Sequence, residues 1–186
     1  MNLYERFGQG LTYDAFITRY ANDVQKERWR AFHDQVRLTD AQRTLLRSFT
    51  RTMPVICLAG AWCGDCVNQC PMFAHFAAEA SGIQLRFLDR DEHADVQKEL
   101  QINGGNRVPV LVFFSEDGHE VARYGERTLS KYRALMQEQA GAACPSGITI
   151  GHDPLTESVL QDWLKEFERV QWILRLSARL RQKHND

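Results

Sequence analysis

Two cysteines separated by two residues are the side chains of this sequence best suited to chemistry. Cys63 and Cys66 lie in a W-C-G-D-C segment, between an apolar run at 54–60 and a stretch of helical periodicity. A helix N-terminus offers unpaired backbone amides and the positive end of the helix dipole. We therefore expect the Cys63 thiolate to be favoured and Cys66, one turn later, to be more enclosed. Gly64 permits a tight turn in which the two sulfurs bond, so the pair is suited to exchanging disulfides with another molecule.

The other three cysteines are Cys57, Cys70 and Cys144. Four of the five cysteines lie between positions 57 and 70, which is too clustered for a framework of structural disulfides and favours redox or metal chemistry in a reducing compartment. Cys57 lies in the apolar run and Cys70 follows Cys66 on the same helical face, so we expect both to be small core residues. A zinc site of Cys63, Cys66, Cys70 and Cys144 is the less favoured alternative, because three ligands on one turn and helix do not converge easily on one ion.

The elements that position the cysteine pair follow from the hydrophobic pattern. The run at 54–60 has the length and β-branched content of a strand covered on both faces, so it should be central in a sheet. The helical pattern after Cys63 ends at Ser81-Gly82, and residues 83–88 are typical of another buried strand. The segment is therefore a β-α-β unit, whose strands should lie parallel.

Residues after this unit complete the order of elements. The pattern predicts a short helix at 94–100 and a glycine turn at 103–105. Two strands of an antiparallel hairpin follow at 110–114 and 120–124, and then a helix at 128–139 that Thr128 caps. The hairpin adds an antiparallel edge, so the predicted sheet is mixed.

The N-terminal part is predicted to be helical. From Thr12 to about Thr50 apolar residues recur at helical spacing, and Thr39 with Gln42 three residues later forms a capping-box pattern. We interpret the segment as two helices with a break near Arg37–Thr39.

The C-terminal part is predicted to hold a linker and a long helix. The best candidate linker is 141–147, and Asp153 followed by Pro154 forms an N-cap with proline at the first helical position. An apolar stripe then indicates one long terminal helix, packed on the core or on the N-terminal helices, with homodimer formation through the terminal helices as the alternative. The predicted organisation is a helical extension at 1–50, a central domain at 51–140 and the linker and helix at 141–186.

Composition indicates one globular domain with extensions, because the chain has 186 residues of which 44% are hydrophobic. Lys and Arg total 23 against 24 Asp and Glu, giving a net charge of -1, which supplies no attraction for nucleic acid or anionic lipid. No apolar stretch reaches the roughly 20 residues of a membrane span, and the N-terminus lacks the regions of a signal peptide. We expect a cytoplasmic protein that binds neither nucleic acid nor membrane.

Several well-separated features resemble the thioredoxin superfamily. They are the cysteine motif after an apolar strand, a proline five residues after it, a strand ending in Leu-Asp, a Val-Pro pair before the hairpin and two later glycines: Trp62 to Cys66, Pro71, Leu88-Asp89, Val108-Pro109, Gly118 and Gly125. The resemblance implies an α/β, thioredoxin-like fold, a mixed central sheet flanked by helices, here with helical N- and C-terminal extensions. It also implies a cis peptide at Pro109 facing the cysteines and substrate contact at Val108.

Other details are similar to a less characterised bacterial group of thioredoxin-like proteins: W-C-G-D-C, residues 88–92 and the Gly-Gly-Asn-Arg loop. Two positions depart from the superfamily pattern. Asp65 replaces the usual proline between the cysteines, and its carboxylate should disfavour a thiolate at Cys63. The buried acid that family members often carry in the incoming strand aligns with Cys57, so the resolving step has no named base.

The resemblance implies a thiol–disulfide oxidoreductase that needs no bound cofactor. Cys63 would attack a protein or small-molecule disulfide and Cys66 would resolve the mixed disulfide, after which an external reductant such as a thioredoxin reductase or glutathione restores the dithiol. Substrate contacts are expected at Trp62, Val108 and Pro109, while Gly64 and Asp65 tune the pair. The alternative is a non-catalytic binding module or redox sensor that uses the two cysteines as a latch.

Overall fold

The computed structural model describes residues 2–140 and 154–186 and contains one four-stranded sheet. Its strands are β1 (Met53–Ala59), β2 (Ile83–Asp89), β3 (Val110–Phe114) and β4 (Glu120–Gly125). The strand order is β2-β1-β3-β4, with β1 parallel to β2 and antiparallel to β3, and β3 antiparallel to β4. Every residue of β1 is buried, as expected of a strand covered on both faces. The predicted mixed sheet and the central place of its first strand are confirmed.

Helices flank this sheet. Within the described residues they are a 3₁₀ helix (Leu3–Gln9), α1 (Tyr13–Tyr20), α2 (Asp23–His33), α3 (Asp40–Arg47), α4 (Gly64–Glu79), α5 (Ala94–Glu99), α6 (Leu129–Ala140), α7 (Pro154–Leu176) and α8 (Ala178–His184). In the same ranges we find no helix with the length and apolar character needed to cross a membrane.

The N-terminal part contains three α-helices, so the prediction of two was wrong. The predicted break before Asp40 is present, and Thr39 and Gln42 form the expected capping box, with bonds of 3.2 and 2.9 Å between side chain and backbone. After α1 ends at Tyr20, a second capping box, between Asn22 and Gln25, starts α2. The sequence concealed this break because Val24 continues the apolar spacing of α1. In the structure its side chain is 59% exposed, so it does not belong to the buried face that this spacing implied.

The C-terminal part forms two helices rather than one long helix. α7 has 23 residues, and the backbone at Ser177 is extended before its side chain caps α8. The apolar stripe of α7 enters the core, where the Phe167 ring contacts the rings of Phe73, Phe76 and Phe113 at centroid distances of 5.0–6.0 Å. The predicted linker 141–147 and the N-cap Asp153 lie outside the described residues.

A buried glutamine joins α7 to the segment that leads into β1. Gln171 Oε1 accepts a hydrogen bond from the Arg51 backbone amide at 2.7 Å, and Gln171 Nε2 donates to the Arg51 carbonyl at 3.2 Å. The guanidinium of Arg51 also pairs with Asp186, beyond α8. Because both backbone groups of Arg51 are buried, Gln171 supplies partners that water does not.

We expect Gln171→Leu to lower the free energy of unfolding by about 2 kcal/mol, because it leaves a buried amide and a buried carbonyl of Arg51 without partners. Urea denaturation measures the change. Gln182→Leu, at an exposed position on α8, is the matched control. Equal stability of the two variants would contradict the assigned role of Gln171.

Candidate active site

The cysteine pair lies where the central strand turns into α4. Cys63 is the N-cap residue of α4, with extended backbone angles of φ -81° and ψ 124°, and its amide donates to the Gly60 carbonyl at 3.0 Å. The buried Trp29 indole donates to the Ala61 carbonyl at 2.8 Å and fixes the turn from outside. The unpaired amides of the first turn of α4 therefore lie beside Cys63, as the hydrophobic pattern predicted.

The two sulfurs differ in exposure. Cys63 is partly exposed and Cys66 is fully buried, and each side chain acts on the acidity of the other. Cys63 Sγ donates to the Val108 carbonyl at 3.6 Å, while the Gly60 amide donates to Cys66 Sγ at 3.5 Å. A reaction partner in solvent therefore reaches Cys63 first, with Cys66 directly behind it.

Hydrogen bonding sets the acidities of the pair. The bond to Cys66, followed by burial and the nearby Asp65 carboxylate, raises the pKa of Cys63. Burial opposes charge on Cys66, but hydrogen bonds from Cys63, Cys70 and the Gly60 amide outweigh it and lower the pKa of Cys66 to about 5. The pair therefore favours a thiol at Cys63 and a thiolate at Cys66.

This distribution differs from the sequence expectation, which placed the favoured thiolate on Cys63. The helix N-terminus stabilises negative charge on the pair, but the nearest polar groups decide which sulfur carries it. The Gly60 amide points at Cys66, whereas Cys63 faces a carbonyl, which is an acceptor and not a donor.

The loop before β3 forms the wall opposite Cys63. The Val108–Pro109 peptide bond is cis, and both residues are buried. Val108 therefore presents its carbonyl, and not its side chain, to the cysteine. Gly125 lies behind this loop at φ 157°, where a Cβ atom would come within 2.5 Å of the Pro109 carbonyl oxygen, so this position requires glycine.

Trp62 forms the solvent-exposed rim of the site. Its side chain is 48% exposed, the Arg90 guanidinium lies 4.4 Å from the ring centroid, and its indole donates to Asp91 at 3.3 Å. The Asp89 carboxylate accepts from the Asp91 amide at 2.9 Å and holds the loop that carries both partners. The segment at 88–92 therefore positions the tryptophan beside the pair.

Gly64 is not required by the geometry of the turn. It is the first residue of α4, its backbone is not left-handed, and a Cβ atom there would meet nothing within 4 Å. The expected role of this glycine in letting the two sulfurs bond stays a prediction. The extended backbone of Cys63 makes the turn instead.

Asp65 has a partner that the sequence did not indicate. Arg127 donates to its carboxylate at 2.8–3.0 Å, from the loop between β4 and α6. Gln69 adds a second link to this loop, because its side chain donates to the carbonyls of both Asp65 and Glu126 at 3.0–3.1 Å. Trp163 of α7 in turn donates to Gln69 Oε1 at 2.7 Å. Arg127 therefore offsets part of the negative charge that Asp65 brings to the cysteines.

The cysteine aligned with the missing acid is also in contact with the site. Cys57 is fully buried in β1, and its sulfur lies 3.8 Å from that of Cys70, one turn beyond Cys66 on α4. The part of the chain that the structure describes holds no group of three or more His, Cys, Asp or Glu side chains arranged for a metal ion. Cys144, the fourth ligand of the alternative zinc site, lies outside that part.

A mixed sheet with a cysteine pair at the start of the helix after its central strand, and a cis-proline opposite, defines a thioredoxin-like protein. A family model described as thioredoxin matches residues 10–139, so the chain belongs to the thioredoxin family. The superfamily resemblance is confirmed, while the bacterial group stays a prediction. No protein with a curated description matches the chain.

Solved structures show the same fold over most of the chain. A protein of unknown function from Pseudomonas aeruginosa is similar at 15% identity and a TM-score of 0.72, covering 91% of this chain and 96% of that one. An HIV epitope scaffold is similar at 16% identity and a TM-score of 0.67, covering 91% and 97%. The likeness therefore extends beyond the sheet to helices at the ends of the chain.

The Asp65–Arg127 pair should tune the thiols in opposite directions. Because the Asp65 charge raises the pKa of both cysteines, we expect Asp65→Asn to lower the midpoint of the pair's first titration by about half a pH unit and Arg127→Gln to raise it by a similar amount. Ultraviolet thiolate absorbance measures the midpoint. Arg133→Gln, an exposed charge loss on α6, is the control, and shifts in the same direction for both test variants would contradict the pairing.

Proposed function

We propose that this protein is a thiol–disulfide oxidoreductase. The observation that carries the proposal is the placement of Cys63 and Cys66 at the N-terminus of α4, where Cys63 is open to solvent, Cys66 is buried and the Val108 carbonyl lies beside the Cys63 sulfur. Membership of the thioredoxin family supports a redox function. The clustered cysteines favour a reducing compartment, and we propose the cytoplasm.

The reaction begins when a proton moves from Cys63 to Cys66. The Cys63 thiolate attacks one sulfur of a substrate disulfide, a bond forms between them and the substrate S–S bond breaks. The second substrate sulfur leaves as a thiolate and takes up the proton from Cys66, which becomes a thiolate again. Attack requires an exposed sulfur, which Cys63 has and Cys66 lacks. The product of this step is a mixed disulfide on Cys63.

Cys66 then resolves the mixed disulfide. Its sulfur attacks Cys63, the Cys63–Cys66 bond forms, and the substrate leaves as a thiolate, reduced by two electrons in total. The Gly60 amide stabilises charge on Cys66 before the attack, so no buried carboxylate base is required. An external reductant of the dithiol or thiol class, such as a thioredoxin reductase or glutathione, restores the pair.

Substrate contacts are proposed around the exposed sulfur. The rim ring of Trp62 offers apolar surface to the residues beside a substrate disulfide. The cis loop of Val108 and Pro109 brings backbone next to Cys63, where an extended substrate segment would lie. Asp65 tunes the acidity of the pair from within α4.

Insulin reduction with dithiothreitol tests the activity by turbidity. We expect the wild-type protein to accelerate precipitation and Cys63→Ser to abolish the acceleration, because the attacking sulfur is lost. Cys144→Ser is the matched control, since it removes a thiol outside the pair. No acceleration by the wild-type protein would sink the proposal and favour a non-catalytic binding module.

Cys66→Ser should trap substrates as mixed disulfides on Cys63, because the resolving sulfur is missing. Non-reducing electrophoresis and mass spectrometry identify the trapped partners. The same partners should be absent from Cys63→Ser/Cys66→Ser, and their presence there would contradict attack by Cys63.

A further inference from the structure

Four cysteines follow one another from the surface into the core. We call Cys63, Cys66, Cys70 and Cys57 the sulfur chain. Cys63, Cys66 and Cys70 share one face at the start of α4, where each acts on the acidity of the next, and the Cys70 and Cys57 sulfurs are 3.8 Å apart. The exposed end is Cys63, while the other three are fully buried. Sequence analysis assigned Cys57 and Cys70 to packing, a role that does not require their sulfurs to be in contact.

The inner pair is the better placed of the two new pairs. Cys57 lies in β1, the strand that precedes α4, and its sulfur must approach that of Cys70 by about 2 Å to form a disulfide. Cys66 and Cys70 are four residues apart on α4, so their Cβ atoms are about 5–6 Å apart, more than the roughly 4 Å of a relaxed disulfide. A bond between Cys66 and Cys70 is therefore strained, which suits a short-lived intermediate that passes on to Cys57.

We propose that Cys57 and Cys70 form a second, internal redox centre that takes over the disulfide first made by Cys63 and Cys66. This inference rests on the proposed function, because the incoming oxidising equivalent is the substrate disulfide. The substrates are still disulfides, but the number of disulfides that the protein can hold doubles from one to two.

The transfer consists of two exchanges that need no external reagent. Cys70 attacks the Cys66 sulfur of the Cys63–Cys66 disulfide; the Cys66–Cys70 bond forms, the Cys63–Cys66 bond breaks, and Cys63 accepts the proton that Cys70 gave up. Cys57 then attacks Cys70; the Cys57–Cys70 bond forms, the Cys66–Cys70 bond breaks, and Cys66 accepts the proton from Cys57. The outer pair is again a dithiol and reduces a second substrate.

The surroundings of the inner pair are consistent with proton transfer along the sulfurs. Burial raises the pKa of both Cys57 and Cys70, so each is a thiol at neutral pH and must pass its proton to a neighbour when it attacks.

Counting disulfides tests the proposal. In a Cys144→Ser background, the protein is oxidised with excess oxidised dithiothreitol or glutathione disulfide, quenched with acid, unfolded, alkylated with N-ethylmaleimide and weighed by mass spectrometry. We expect two disulfides and no alkylated cysteine. A product with one disulfide and two alkylated cysteines would overturn the proposal, and this measurement uses a chain whose four sulfurs are intact.

Variants identify the route. Cys57→Ala and Cys70→Ala should each hold one disulfide, with circular dichroism as the check that they fold. In Cys63→Ser/Cys66→Ser the Cys57–Cys70 disulfide should form at least about tenfold more slowly, because the variant lacks the exposed thiol that reacts with the oxidant. An unchanged rate would overturn transfer along the chain.

The insulin assay separates the two claims. Insulin reduction by the parent protein together with a single disulfide would leave the proposed function standing and remove the second centre. Two disulfides without insulin reduction would remove the proposed function and keep the second centre.

Discussion

The placement of two thiols at one helix N-terminus is the constraint on which the site depends. It exists because a buried strand leads into Cys63 at the N-cap of α4, which places Cys66 one turn later and inside. The Gly60 amide and the Val108 carbonyl then give the two sulfurs different environments, one facing a donor and the other an acceptor. Identical surroundings would give the two thiols similar acidities, so neither sulfur would be distinguished as the attacking or the leaving group.

Charge near the pair is balanced by the loop between β4 and α6. The Asp65 carboxylate disfavours a thiolate on either cysteine, and Arg127 donates a hydrogen bond to that carboxylate and offsets part of its charge. Glu126, buried in the same loop, is itself paired with Tyr132 at 3.0 Å and with Arg107 at 3.7 Å. The polar groups beside the thiols are therefore mutually satisfied, so the field at the sulfurs depends on the loop keeping its place.

Much of the fold could be predicted because burial leaves a periodic signal. The central strand, the parallel unit and the capping box at Thr39 follow from local pattern, and all are present. The break at Asn22 was missed because the exposed Val24 continued the apolar spacing. Arg127 was missed because an ion pair between residues 62 positions apart leaves no local signal. The proton arrangement of Cys63 depends on rotamers, which spacing does not record.

Gln69 connects α4 to α7 as well as to the loop that carries Arg127. Its amide is held at once by Trp163, by its own helix and by the Glu126 carbonyl, all in the interior. A shortened chain without α7 would lose the Trp163 donor to Gln69 Oε1 and expose the rings of Phe73 and Phe113 that Phe167 covers. The smallest autonomous unit that holds the cysteine pair in this setting is consequently larger than the sheet and the helices nearest the thiols, and α7 is part of its framework.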